Sequence, residues 1–118
     1  MTESALVRAL LLASSKAGVA LFRNNVGKLQ DRHGTWVAYG LCPGSCDLIG
    51  WTPHVVTQAD VGRTMAVFVG IEAKRESGGT VSEDQRAFLA ALARDGAVCG
   101  VARSVADLDA ILQHVKER

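Results

Sequence analysis

From Met65 to Ala73 the chain runs nearly without interruption through apolar residues, broken near its end by Glu72 and followed at once by Lys74. A run of this kind reads as a central strand buried on both faces, and covering both faces takes helices or further strands on either side. Charges set into such a strand are costly unless they have a task, so Glu72 and Lys74 are the first candidates for function. A plainer reading stands beside this one: the strand ends at Ile71 and both side chains reach solvent.

The remaining elements follow from periodicity and punctuation. Thr2 caps a first helix with Glu3 in its first turn; Leu6, Leu10, Ala13 and Ala17 form one apolar face, and Gly18 ends it. Val19 to Arg23 reads as a strand closed by Asn24, Asn25 and Gly27, and Thr35 to Tyr39 as a second, the two forming a hairpin. Cys42 to Ser45 is a loop leading into a third strand that opens at Asp47, and Thr52 to Arg63 a connection holding one helical turn. Ser82 and Gln85 make the S-x-x-Q capping box of a second helix whose buried face is Phe88, Leu89 and Leu92, with Gly96 at its end. Ala97 to Ala102 is the next strand. Ser104 and Asp107 open a last helix with Val105, Leu108, Ile111, Leu112 and Val115 apolar. The order α-β-β-β-β-α-β-α predicts an α/β fold, a mixed β-sheet flanked by helices.

Length places all 118 residues in a single domain, and a composition 48% hydrophobic and 21% charged excludes disorder. Aromatics are only 5%, so the core is filled by Val, Leu, Ile and Ala. The formal net charge is +1, but it is unevenly spread. Up to Gly40 there are five bases against two acids, an end suited to a polyanion. Three cysteines, an odd number, point to a reducing, intracellular, cytoplasmic setting. The apolar run Ala9 to Ala13 is too short for a signal sequence, and no run approaches the roughly 20 residues of a membrane span. Cys42, Cys46 and His54 lack the spacing of a zinc site, and no elbow motif surrounds a cysteine nucleophile. Gly70, Gly78 and Gly79 form no phosphate-binding glycine motif, so no nucleotide cofactor is expected. His33 and His114 lie in polar surroundings and read as chemically inert.

Asp47 at the start of one strand and Glu72-Ala73-Lys74 at the end of the next make the chemical constellation. Side chains alternate along a strand, so Glu72 and Lys74 share a face while Ala73 points away and leaves its carbonyl near the same edge. Two carboxylates and a carbonyl oxygen form a hard site for Mg2+ or Mn2+, which polarises a phosphodiester and acidifies an attacking water. The lysine supplies positive charge to the transition state and positions the water. Taken alone, an acid 25 positions before an E-x-K is a weak pattern. Arg75, followed by Ser77 and Gly78, suits a loop that cradles a phosphate or an ordinary solvated loop.

The stretch from Gly44-Ser45-Cys46-Asp47-Leu48-Ile49-Gly50 through Ile71-Glu72-Ala73-Lys74, Gly78-Gly79, Val81 to Gln85 and Gly96 to Ala102-Arg103-Ser104 resembles a stand-alone VRR-NUC domain. That family belongs to the PD-(D/E)XK, restriction-endonuclease-like nucleases. Phe22 to Gly27 is similar to its N-terminal strand motif, so the likeness covers nearly the whole chain in order. Cys46 stands where the superfamily's name places proline, a change in loop geometry more than in metal binding.

The resemblance implies a restriction-endonuclease-like core and a metal-dependent endonuclease acting on branched or duplex DNA such as Holliday junctions, homodimeric like the small members found in phages and prophages. Two related cuts in a junction suit a symmetric dimer. Asp47 and Glu72 become metal-binding carboxylates, Ala73 a ligand through its carbonyl, Lys74 the catalytic lysine, and Gln85 an orienting group for water or phosphate. Glu3 matches an additional acid on the first helix. Arg23, Asn24 and Asn25 contact phosphates under the resemblance, or simply end a strand. A binding module that keeps the nuclease fold without turnover is the alternative from another class.

Overall fold

The computed structural model describes residues 2–116, with side chains as far as Gln113; His114 and Val115, read above as inert and as part of an apolar face, lie outside the described side chains. In chain order the elements are α1 (Glu3–Lys16), β1 (Ala20–Arg23), β2 (Gly27–Gln30), β3 (Trp36–Tyr39), β4 (Leu48–Trp51), a 3-10 turn (Gln58–Asp60), β5 (Val69–Ala73), α2 (Glu83–Arg94), β6 (Val98–Ala102) and α3 (Val105–Lys116). Contacts divide the chain between Thr52 and Pro53 into two compact units. Among the described residues no helix is long and apolar enough to cross a membrane.

In the first unit Thr2 Oγ1 accepts the Ala5 N–H at 3.1 Å, and Glu3 and Lys16 stand at the helix ends whose partial charges they oppose. The half-buried residues of α1 are Ala5, Val7, Leu11 and Ser14, whereas Leu6 and Leu10 are exposed. The expected face is therefore displaced around the helix. β1 pairs antiparallel with β4, Ala20 opposite Trp51 and Arg23 opposite Leu48. Phe22 and Trp51, diagonal neighbours on one face of this ladder, stack with ring centroids 5.4 Å apart. The hairpin is β2 with β3, Gly27 opposite Tyr39, not β1 with Thr35 to Tyr39 as expected. Its turn is an Asx device: Asp31 Oδ1 accepts the His33 and Thr35 N–H groups at 2.8 and 3.0 Å.

In the second unit β5 and β6 run parallel in register, with Glu72 opposite Val101 and Ala73 opposite Ala102. Parallel strands need a crossover, which α2 supplies. Leu92 of α2 is fully buried with Val98 of β6 beside it in the core. A Cβ at Gly70 would stand 2.6 Å from Leu92 Cδ1, so the glycine leaves the space on β5 that the Leu92 side chain of α2 fills. The strand occupies only the end of the predicted run: Met65 and Val67 are exposed and lie outside it. Apolar character signals a demand for burial, not a ladder partner, and among the described residues β5 pairs with β6 alone. The α/β class holds: among the described residues three helices accompany three two-stranded sheets, two antiparallel and one parallel, so the expected mixed sheet is divided into separate ladders and the order gains the strand β2.

The 3-10 turn is the helical turn expected between Thr52 and Arg63. Asp60, 8% exposed, organises it by accepting the Thr57 N–H at 2.9 Å and Arg63 Nη1 at 3.0 Å, with His54 Nε2 2.8 Å away. The Thr57 N–H foremost, then His54, hold its carboxyl below the ordinary value of 3.8. A depressed acid supports the fold above its unfolded value and loses that support as pH falls through its folded value. Asp60→Asn therefore lowers the melting temperature at neutral pH, and the wild-type and variant curves converge below about pH 4. Melting measured across that range checks this, and parallel curves would refute it.

Candidate active site

Glu72 is the next-to-last residue of β5, and the strand carries on past Ile71. Its side chain is 29% exposed and that of Lys74 17%, with Lys74 Nζ 3.5 Å from Glu72 Oε1. Neither charge is simply solvated, as the plainer reading had it. Lys74 lies one residue beyond the strand, and its N–H still donates to Ala102 O at 3.1 Å, so the ladder fixes its backbone. Ala73 between them is exposed.

Gln85 joins the first turn of α2 to this pair. Its Oε1 accepts the Ser82 N–H at 3.0 Å, while Ser82 Oγ accepts the Gln85 N–H at 3.1 Å, closing the capping box. With Oε1 engaged, the amide has one orientation, and Nε2 donates to Glu72 Oε1 at 2.9 Å. Helix capping thereby aims a neutral donor at the carboxylate. Glu72 and Gln85 line a cavity of about 300 Å³ together with Gly70, Phe88, Leu89 and Leu92. Two donors converge on Oε1, and neither of these bonds uses Oε2.

In the first unit, Glu3, Arg23, Asn25 and Asp47 line a single cavity of about 240 Å³ together with Ser4 and Val7. Four predicted residues, from the first turn of α1, from the end of β1 and the segment after it, and from the position just before β4, thus come together. Asp47 is exposed, and its carbonyl accepts the Asn24 N–H at 2.8 Å. Asn24 is 7% exposed and bonded at both ends of its amide. Nδ2 donates to Ser45 Oγ at 2.7 Å and to Cys46 O at 2.9 Å, and Oδ1 accepts the Leu41 N–H at 2.9 Å. Its side chain is therefore spent on the loop that delivers Asp47 and does not reach phosphate. Sequence reasoning missed this role; the signal was a polar residue just past a strand beside a loop, whose backbone groups need partners outside any ladder.

Arg75 is exposed in the loop after Lys74, and Arg103, to which no role was given, binds that loop. Cys42 and Cys46 are exposed free thiols and Cys99 is half-buried. Among the described residues no three His, Cys, Asp or Glu side chains cluster.

Compared with protein families, the chain matches the VRR-NUC domain over residues 7–106, a span that takes in every one of these residues except Glu3 and Ser4. The chain belongs to the VRR-NUC family. This is a nuclease-type domain, and such a domain implies nucleic acid as its partner. No curated protein and no solved structure matches the chain. The VRR-NUC match takes in residues of both compact units.

Proposed function

We propose that the chain is a metal-dependent, structure-specific endonuclease that hydrolyses phosphodiester bonds in branched DNA such as Holliday junctions, working as a homodimer. The observation that carries this reading is the Glu72–Lys74 pair at the end of β5, half-buried and steered by Gln85 within a VRR-NUC domain. In this reading Asp47, Glu72 and the Ala73 carbonyl would be the ligands, hard oxygen donors of the kind that suit Mg2+ or Mn2+, and neither of the two bonds that meet on Glu72 Oε1 uses Oε2. An ion held by so few carboxylates would keep water in its shell, as Mg2+ prefers. When bound, the ion polarises the phosphodiester and lowers the pKa of water.

The chain's own residues do the rest. Lys74 Nζ places positive charge where the phosphoryl oxygens gain negative charge and helps hold the nucleophilic water. Gln85 keeps Glu72 in one rotamer and has a second Nε2 hydrogen for water or phosphate. Glu3 adds a further acid beside Asp47, while Arg23, Asn25 and Arg75 meet backbone phosphates.

The test is cleavage of labelled four-way junction, flap and linear duplex DNA with Mg2+, with Mn2+ and with chelator. Paired cuts in the junction that disappear in chelator and in Asp47→Ala are the expected result. Junction binding without any cleavage would make the chain a binding module on a nuclease fold. Sedimentation that finds only a 12.5 kDa species would remove the dimer.

A further inference from the structure

The guanidinium of Arg103, just after β6, reaches back to the loop that follows Lys74. Nη1 donates to the carbonyls of Arg75 at 3.0 Å and Gly78 at 2.7 Å, and Nη2 donates to Gly79 O at 3.0 Å. Arg103 is itself fixed, since its N–H donates to Asp107 Oδ2 at 2.8 Å in the first turn of α3. Three carbonyls from one short loop on one planar fork is an arrangement that lysine, with a point charge, does not reproduce. Gly78 and Gly79 take φ values of 74° and 62°, the region that favours glycine. A Cβ at Gly78 would stand 3.1 to 3.4 Å from the Arg75 guanidinium, so that side chain lies along the bare glycine backbone.

The loop is thus shaped from both sides: Arg103 holds its carbonyls, and its glycines make room for Arg75. Among the described residues neither arginine forms an ion pair with a carboxylate. Arg103 donates both terminal nitrogens to carbonyls, whereas Arg75 is exposed. We infer that Arg103 is a positioning residue for nucleic-acid binding: it fixes the Arg75–Gly79 loop so that Arg75 meets a backbone phosphate beside the one that reacts. This rests on the reading of the Glu72–Lys74 pair as a DNA-cleaving site.

Junction affinity measured over a salt series for the wild type, Arg103→Gln, Arg75→Gln and the double variant tests it. Each single change weakens binding by about tenfold and lowers the salt slope by about one phosphate contact. The double variant loses no more than either single one, because both act through one contact. Arg103→Lys recovers only part of the affinity, and KM for cleavage rises more than kcat falls. Fully additive losses, or an Arg103→Gln affinity equal to wild type, would overturn the inference. A second measurement needs no DNA: tryptic cutting after Arg75 under native conditions is several-fold faster in Arg103→Gln, and an unchanged rate overturns the clamp. A wild type that binds no DNA overturns the nuclease reading instead, while the tryptic rate still decides whether Arg103 orders the loop.

Discussion

Lys74→Ala lowers single-turnover cleavage of a four-way junction by about 10³-fold, the scale of losing one preorganised charge at a developing oxyanion. The fold stays close to wild type. The Lys74 backbone is held by its N–H to Ala102 O at 3.1 Å, a bond indifferent to the side chain. The ion pair with Glu72, at 3.5 Å and partly exposed, contributes only about 1 kcal/mol or less once solvent screening is counted. Glu72 also retains its bond from Gln85 at 2.9 Å, so its carboxylate is not left without a donor. Lys74→Arg does not restore the rate, because a guanidinium fork cannot occupy the place of a compact ammonium. A variant that cuts within tenfold of wild type, at unchanged melting temperature, would remove Lys74 from the chemistry and leave its pairing with Glu72 as a structural detail.

The parts of this site that the sequence discloses are those set by short-range rules. A capping box is written in Ser82 and Gln85, and the structure closes it. Strand alternation puts Glu72 and Lys74 on one side of an exposed Ala73. What the sequence conceals is long-range pairing. β1 finds β4 across a loop and an entire hairpin, and the hairpin itself uses Gly27–Gln30, a segment whose glycine, lysine and glutamine carry little strand propensity. In α1, Leu6, Val7, Leu10, Leu11 and Leu12 make nearly every face apolar, so periodicity has no power to choose the Val7 and Leu11 side. Asn24 and Arg103 were hidden for the same reason. Each bonds backbone groups about 20 or more positions away, and no local pattern announces a carbonyl that still needs a donor.

Leu92→Ala is the substitution with the largest expected cost in stability, roughly 2–5 kcal/mol. Leu92 is completely buried, and together with Val98 it is the apolar core of the second unit among the described residues. Against a total of roughly 5–15 kcal/mol such a loss is severe, and it should appear as a lower urea midpoint at an unchanged slope. Its reach extends to the site, because α2 bears Gln85 and β5 bears Glu72, and Leu92 is what wedges that helix against that strand at Gly70. Cleavage therefore falls with stability in this variant, whereas in Lys74→Ala the two separate. Gly70→Ala supplies the check on mechanism. In the wild type its new methyl would lie 2.6 Å from Leu92 Cδ1, so the fully buried Leu92 side chain or the helix that carries it must shift. In the Leu92→Ala background the same methyl enters the vacated space, so the double variant is more stable than the sum of the single losses predicts. Additive losses would mean that α2 does not settle on β5 through this contact, and the aim of Gln85 at Glu72 would then need another cause.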